Sequence, residues 1–268
     1  MKLAYRREGQ GPLLVCHPGG PGFSGATLTD LGGLVGLFEC IVVDPRGTGG
    51  SALADTYAAG EYVADLEQLR AELGVEQFDL LGHSHGGFVA MEYAATHPER
   101  VRRLVLAATG PRLAPEYHAA GEAVWDGNSD PTIQQARAAR AERLSSTDLE
   151  PAEIVQLALV ELRLHFARAD GLPVLGQVFA REPPNLDALT YFNRETAPQF
   201  DLRPLLPAIR AQTLVVTGDH DFFGKLAADD LVAGIPDSRS VVLDGAGHFL
   251  WIDQPQAFSS EVASFLLQ

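Results

Sequence analysis

Residues 82–86 of this 268-residue chain read GHSHG, a Gly-x-Ser-x-Gly pattern centred on Ser84. An apolar run, residues 78–81, precedes the pattern, and a helix-like run, residues 88–95, follows it. Where a strand turns directly into a helix, the residue at the apex has a strained backbone, and only small neighbours two positions away avoid a clash. The pattern therefore predicts a nucleophile elbow that holds the hydroxyl of Ser84 above the sheet edge.

An acid and a histidine follow the serine in the order Ser, Asp, His that an α/β-type hydrolase requires. Residues 213–217 (TLVVT) indicate a buried strand, which runs into a loop that contains Asp219 and Asp221. The next strand, residues 241–243, leads to a glycine-flanked loop ending at His248. Because loops that follow parallel strands meet at one edge of the sheet, we expect His248 to act as the base and one of the two aspartates to orient it. The alternative for His248 is a packed loop histidine.

Three further segments, each close behind an apolar strand pattern, are rich in glycine. They are HPGGPG at residues 17–22, DPRGTGGS at residues 44–51 and GAGH at residues 245–248. Together with the elbow, these segments resemble the α/β-hydrolases and, within them, the proline-iminopeptidase-like serine peptidases. The resemblance covers essentially the whole chain, and the Gly-Gly-Pro-Gly element is the part typical of the peptidases.

The resemblance implies roles for individual residues. It assigns two backbone N–H donors to an oxyanion hole, Gly20 and the residue after the nucleophile, His85, and such donors stabilise the developing charge by a few kcal/mol each. It places the acid at Asp221, while Asp219 remains the alternative and is more typical of an Asx turn. Two positions depart from the subfamily pattern. Pro18 separates the histidine from Gly-Gly-Pro-Gly, which bears on the loop register, and His85 replaces an aromatic residue, which bears on the substrate pocket.

Strand and helix patterns alternate along the chain as in a doubly wound sheet. Leucines at helical spacing predict a helix over residues 27–37, and another helix is predicted over residues 56–73. The predicted strands are residues 2–7, 12–16, 39–44, 78–81, 101–107, 213–217 and 241–243. We therefore predict the α/β class, and specifically an α/β-hydrolase fold with a doubly wound, mostly parallel sheet.

The alternation stops between residues 110 and 202. This stretch contains helical runs, residues 133–144 and 152–169, and no convincing strand. Because long insertions in compact domains are usually functional, we expect residues 110–202 to form a helical cap that covers the active site and selects the substrate. The cap is predicted to lie between the sixth strand and the acid-bearing strand, with residues 1–109 and 203–268 forming the core domain. The alternative is a helical excursion that only covers the sheet.

Composition excludes several classes of protein. The net charge of −15 argues against a nucleic-acid partner, because phosphate binding requires basic clusters. No apolar run approaches membrane length, and residues 1–9 lack the apolar segment of a secretory signal, so we expect no membrane partner. Both cysteines, Cys16 and Cys40, lie in buried-strand patterns and favour a reducing compartment. We therefore expect a cytoplasmic protein.

The sequence has no convincing motif for a metal or a cofactor. His83 and His85 lie close in sequence, but residues that flank an elbow serine point in different directions, and the chain has no His-x-x-x-His pattern or cysteine pair. Residues 47–51 (GTGGS) lack the lysine of a phosphate-binding loop. We expect no metal and no cofactor.

The sequence thus predicts a serine hydrolase that acts by acyl transfer on a small molecule or short peptide. The Gly-Gly-Pro-Gly element favours an aminopeptidase of proline-iminopeptidase type; a carboxylic-ester or lactone hydrolase is the alternative, and a non-catalytic small-molecule receptor ranks last. An aminopeptidase must hold the substrate ammonium against a carboxylate. Glu182, beside a Pro-Pro break, and Glu195, beside aromatic residues, are the candidate anchors, although each is more often a solvated surface residue.

Overall fold

A seven-stranded sheet organises the part of the chain that the structure describes. The computed structural model describes residues 1–145, 161–168 and 171–268. The strand order is β1-β3-β2-β4-β5-β6-β7. Only β1 pairs antiparallel, with β3, and the other neighbours are parallel. The strands are β1 (Ala4–Glu8), β2 (Leu13–His17), β3 (Glu39–Asp44), β4 (Phe78–His83), β5 (Val101–Ala107), β6 (Gln212–Gly218) and β7 (Ser238–Leu243).

Helices cover both faces of this sheet. The described α-helices are α1 (Ala59–Leu73), α2 (His85–Thr96), α3 (Pro115–Gly127), α4 (Pro131–Ser145), α5 (Leu172–Arg181), α6 (Leu186–Tyr191), α7 (Gly224–Gly234), α8 (Leu250–Asp253) and α9 (Pro255–Leu266). Side chains of a strand alternate between the faces, so Leu80 enters one hydrophobic core and Leu81 the other. Since both faces are covered, β4 is buried throughout, including its two polar residues Asp79 and His83.

The predicted α/β-hydrolase fold and doubly wound sheet are confirmed, whereas some predicted helices differ. The helix predicted over residues 27–37 is wrong, because this stretch forms two short 3-10 segments, Gly25–Leu28 and Leu31–Gly36. Gly32 and Gly33 have φ values of 65° and 100°, which interrupt any α-helical hydrogen-bond ladder. The helix predicted from residue 56 begins three residues later, at Ala59.

The described residues between β5 and β6 are helical and contain no named strand. One antiparallel bridge, between Arg112 and Asp201, joins the two ends of this stretch. The strand before it is the fifth in the chain, not the sixth, because only four strands precede β5. Much of the helix predicted over residues 152–169 lies outside the described residues, and the described part contains a 3-10 turn, Leu162–His165. The division into a core domain and a cap stays a prediction.

All loops that follow the parallel strands β2, β4, β6 and β7 emerge at one edge of the sheet, because parallel strands share a direction. This edge gathers the segments that the sequence singled out. Among the described residues, no helix is both long and apolar enough to cross a membrane.

Candidate active site

Ser84 occupies the apex of the turn between β4 and α2. Its backbone lies at φ 52° and ψ −118°, a conformation that L-residues rarely adopt. A Cβ atom on Gly82 would lie 2.4 Å from the carbonyl oxygen of Gly86, and a Cβ on Gly86 would lie 2.4 Å from the carbonyl oxygen of His17. Both glycines are therefore required by close backbone contacts. Two hydrogen bonds hold the apex, because the Ser84 N–H donates to Ala107 (3.0 Å) and the Ser84 carbonyl accepts from the Thr109 hydroxyl (2.8 Å).

His248 and Asp221 form a buried pair at the same sheet edge. The Nδ1 atom of His248 lies 2.8 Å from Oδ1 of Asp221, and the two residues are 4% and 3% exposed. An ionised carboxylate only accepts hydrogen bonds, so Nδ1 carries the proton and Nε2 is left with its lone pair. The other carboxylate oxygen of Asp221 accepts a hydrogen bond from the hydroxyl of Thr217 (3.2 Å). This arrangement gives His248 the tautomer that a general base needs.

Asp219, the alternative acid, does not pair with His248. Its Oδ1 accepts hydrogen bonds from the N–H groups of Gly245 (2.8 Å) and Ala246 (3.2 Å) and lies 2.7 Å from Nδ1 of His220. Asp219 therefore connects the loop after β6 to the loop that carries His248. In an Asx turn, the side chain would bind the backbone of its own loop. Asp219 instead binds the backbone of the second loop.

The loop after β2 lies against the nucleophile elbow. A Cβ atom on Gly19 would be 3.0 Å from Cβ of Ser84, and Gly20 has a φ of 119°, which favours glycine. His85 is the first residue of α2, and the first N–H groups of a helix have no partner within the helix. The structure thus brings the Gly19–Gly20 backbone and the start of α2 to Ser84. The oxyanion-hole roles of Gly20 and His85 stay predictions.

The imidazole of His85 is part of an aromatic cluster. Its ring lies 5.1 Å from that of Tyr62, 5.5 Å from that of Phe192 and 5.9 Å from that of Phe88, all in edge-on geometry. Burial, together with the nearby His17, lowers the pKa of His85 to about 3, so the ring is neutral near pH 7. The neutral imidazole of His85 therefore packs as an aromatic ring. The proline-iminopeptidase-like peptidases, which the sequence resembles, have an aromatic residue at this position.

Three rings that sequence reasoning did not connect with the site surround His248. Their centroids lie 4.6 Å (Phe222), 4.7 Å (His83) and 5.3 Å (His165) from that of His248. Burial, reinforced by His248, lowers the pKa of His165 to about 4. No spacing in the sequence marks His165, because it lies 83 residues before His248 in a stretch without a motif.

The segment that contains His165 is attached to the loop of the candidate base. The His248 N–H donates to the carbonyl of His165 (2.7 Å). One carboxylate oxygen of Asp253 accepts from the N–H groups of both Gly247 (2.7 Å) and Ala167 (3.0 Å). Residues of the predicted cap therefore help to hold the backbone of the candidate base.

The two candidate amine anchors lie in different environments. Glu182 follows α5 and is half-buried, with Oε2 enclosed by protein and without a hydrogen-bond donor. Its neighbourhood contacts the loop after β2, because the Phe179 ring lies 4.9 Å from that of Phe23 and the Asn185 N–H donates to Gly22 (2.8 Å). Glu195 is exposed, in a surface depression that it shares with Asp187, Thr190, Tyr191 and Arg194. Both roles stay predictions.

The fold agrees with what sequence comparison shows. The α/β hydrolase fold family matches residues 12–255, so the chain belongs to that family. It is a hydrolase of the α/β fold. Among the described residues, no group of three or more His, Cys, Asp or Glu side chains is placed to hold a metal ion.

Individual relatives have different activities. The pimeloyl-[acyl-carrier protein] methyl ester esterase of Aeromonas hydrophila is 31% identical over 281 residues, which cover 99% of this chain and 100% of the esterase. The polyketide synthase ThaQ of Burkholderia thailandensis is 31% identical over 274 residues, which cover 97% of this chain but 12% of the synthase. The proline iminopeptidase of Lactobacillus delbrueckii subsp. bulgaricus is 26% identical over 283 residues, which cover 96% of this chain and 90% of the peptidase. The predicted superfamily is confirmed, but the peptidase is only one distant relative beside esterases.

Solved structures support the fold. The putative non-heme bromoperoxidase BpoC of Mycobacterium tuberculosis has a TM-score of 0.73 at 24% identity, covering 100% of this chain and 96% of that chain. VinJ has a TM-score of 0.77 at 21% identity, covering 98% and 93%. At these identities, the likeness concerns the architecture alone.

Proposed function

We propose that this protein is a carboxylic-ester hydrolase that acts by serine acyl transfer. The observation that carries the proposal is the buried His248–Asp221 pair, 2.8 Å apart, at the sheet edge where the strained elbow holds Ser84. A nucleophile with a left-handed backbone, a histidine in the Nδ1–H tautomer and a buried acid form the constellation of acyl-transfer enzymes.

In the proposed mechanism, Nε2 of His248 accepts the hydroxyl proton of Ser84 as the serine oxygen attacks the ester carbonyl. The N–H groups of Gly20 and His85 stabilise the oxyanion of the tetrahedral intermediate. The intermediate collapses when the alcohol leaves with the proton from His248, and an acyl-enzyme ester remains on Ser84. Water, deprotonated by His248, then hydrolyses this ester and regenerates the serine. Asp221 orients the imidazole and stabilises its protonated form throughout.

Ester substrates have the stronger support. A relative named as a methyl ester esterase aligns with the full length of this chain at 31% identity, whereas the named proline iminopeptidase aligns at 26%. One observation favours the aminopeptidase as a second candidate. The carboxylate of Glu182 is half-buried, has one enclosed oxygen without a donor, and lies next to segments that contact the loop after β2. We further propose that residues 110–202 act as the cap that selects among these substrates.

Parallel assays of two substrate classes test the proposal. Purified protein and its Ser84→Ala variant are given 4-nitrophenyl esters and methyl esters of increasing acyl length, and proline and alanine 4-nitroanilides. We expect Ser84-dependent ester hydrolysis and at most slow anilide hydrolysis. Faster Ser84-dependent hydrolysis of proline anilide would make the peptidase the correct reading. Ester hydrolysis that persists in Ser84→Ala at a rate within tenfold of the parent would overturn the serine mechanism.

A further inference from the structure

His83, the residue before the candidate nucleophile, makes a direct contact with the loop of the candidate base. Its Nε2 atom lies 2.9 Å from the backbone carbonyl oxygen of His248, across 165 residues of sequence. The His83 side chain is 1% exposed, so this hydrogen bond is shielded from water. It is a tertiary link between the strand that ends in Ser84 and the loop that carries His248.

The protonation state of His83 follows from its surroundings. A carbonyl oxygen only accepts hydrogen bonds, so Nε2 carries the ring proton and donates it to His248. Burial, together with the nearby His248 and His165, keeps the pKa of His83 well below its usual range, so the ring remains neutral where esterases operate. His83 therefore cannot compete as a base, and its hydrogen bond persists across the working pH range.

The ring of His83 also packs against two further aromatic rings. It lies 4.7 Å from the Trp251 ring in edge-on geometry and 5.3 Å from the Phe249 ring. A Cβ atom on Gly19 would meet Nδ1 of His83 at 2.8 Å, so the loop after β2 covers the remaining edge of the ring. These contacts leave the imidazole little freedom, and the donor points at one acceptor.

The backbone of His248 is bound from both sides. Its carbonyl accepts from His83, and its N–H donates to the carbonyl of His165 (2.7 Å). Asp221 holds only the side chain of His248, whereas these two contacts hold its own backbone groups, beside the hydrogen bonds that Asp219 and Asp253 make to the preceding residues of the loop. Of the two contacts, the one from His83 ties His248 directly to the chain segment that carries Ser84, because His83 precedes Ser84.

We propose that His83 is a positioning residue of the acyl-transfer site. Through its Nε2–H hydrogen bond to the His248 carbonyl, it sets the distance between the base and Ser84. The proposal rests on the proposed function, because it assigns His83 to the alignment of that base and nucleophile. Misplacing a catalytic group by about 1 Å can cost on the order of a hundredfold in rate.

Three substitutions of His83 separate hydrogen bonding from packing. His83→Phe keeps a ring but removes the donor. His83→Asn places an amide donor near the Nδ1 position, away from the His248 carbonyl. His83→Gln places its amide near the Nε2 position and can restore the hydrogen bond. We expect the Phe and Asn variants to lower kcat by roughly tenfold to a hundredfold at nearly unchanged KM, and the Gln variant to remain within about fivefold of the parent.

Rates are expressed per active site titrated with a fluorophosphonate, so that a loss of folded protein does not count as a loss of activity. Leu81→Ala is the matched control, because Leu81 lies two residues earlier on the same face of β4 and is fully buried. We expect this control to lower Tm but to leave kcat per titrated site within about twofold. The initial rate of fluorophosphonate labelling gives a second measure of Ser84 activation.

The outcomes distinguish the two proposals. Equal kcat values in the Phe, Asn and Gln variants, or losses in the Leu81→Ala control as large as those in His83→Phe, would overturn the positioning role while the ester hydrolase remains. If Ser84→Ala retains the parental activity, the proposed function is overturned, and the positioning role fails with it. A lower kcat in the Phe and Asn variants that recovers in the Gln variant, at constant KM, supports both the positioning role and the ester hydrolase.

Discussion

Substituting Asp221 by asparagine tests the assignment of the acid. In the parent, the Thr217 hydroxyl donates to Oδ2 of Asp221 while Oδ1 faces Nδ1 of His248 at 2.8 Å. An asparagine whose carbonyl oxygen takes the Oδ2 position keeps the hydrogen bond that the Thr217 hydroxyl donates. Its NH₂ group then faces Nδ1, which must become the acceptor, and the ring proton moves to Nε2. The base is blocked in the wrong tautomer, and we expect kcat to fall by about three to four orders of magnitude.

Asp219→Asn is the matched control for this substitution. The oxygen of Asp219 that binds the Gly245 and Ala246 N–H groups can be retained as the amide oxygen of asparagine. We expect kcat within about tenfold of the parent. Steady-state ester hydrolysis at pH 8, normalised to folded protein by circular dichroism, measures both variants. An Asp221→Asn variant that stays within tenfold, with a thousandfold loss in Asp219→Asn, would refute the reasoning and assign the acid to Asp219.

The other predictions concern stability and specificity. Burial lowers the pKa of His17 to about 4, below its unfolded value of about 6.5, so its contribution to the free energy of unfolding is complete above pH 6.5 and is lost as the pH falls towards 4. In urea titrations, His17→Gln should reduce the pH dependence of that free energy between pH 6.5 and 4 by up to about 1.4 kcal/mol per pH unit; an unchanged slope contradicts this. If the second candidate function holds, Glu182→Gln should raise KM for proline anilide about tenfold or more and leave KM for a neutral aryl ester unchanged. Because Glu195 is exposed, Glu195→Gln should raise KM for the anilide by less. Equal effects of Glu182→Gln on both substrates would reject Glu182 as the amine anchor. Gly86→Ala should lower thermal stability or prevent folding, because its Cβ would lie 2.4 Å from the His17 carbonyl oxygen; parental Tm and activity would contradict the close packing.

The sequence predicts well those features that adjacent residues determine. The elbow can be predicted because its two glycines, its strand and its helix are contiguous. Leu80 and Leu81 of β4 are both apolar because helices cover both faces of the sheet. The helix over residues 27–37 fails for the opposite reason. Its leucines have helical spacing, but Gly32 and Gly33 adopt left-handed conformations that spacing does not encode.

Contacts between segments that are distant in the chain could not be predicted from the sequence. Asp219 and Asp221 are two residues apart in one loop, and only the path of that loop decides which side chain faces His248. The hydrogen bond from His83 to the His248 carbonyl joins a side chain to a backbone atom. Because every residue has a backbone carbonyl, the types of the two residues do not predict this contact. Asp253 likewise binds backbone N–H groups of Gly247 and Ala167, which any residue type supplies except proline.

Trapping the acyl-enzyme tests the central claim most directly. The protein is mixed with a slowly deacylating 4-nitrophenyl ester, quenched in acid within its first turnovers and digested, and the peptides are analysed by mass spectrometry. The account predicts an added acyl mass on Ser84, a burst of nitrophenol close to one equivalent per active site, and neither signal in Ser84→Ala. Steady turnover of the same ester with no acyl mass on Ser84 and an undiminished rate in Ser84→Ala would contradict it.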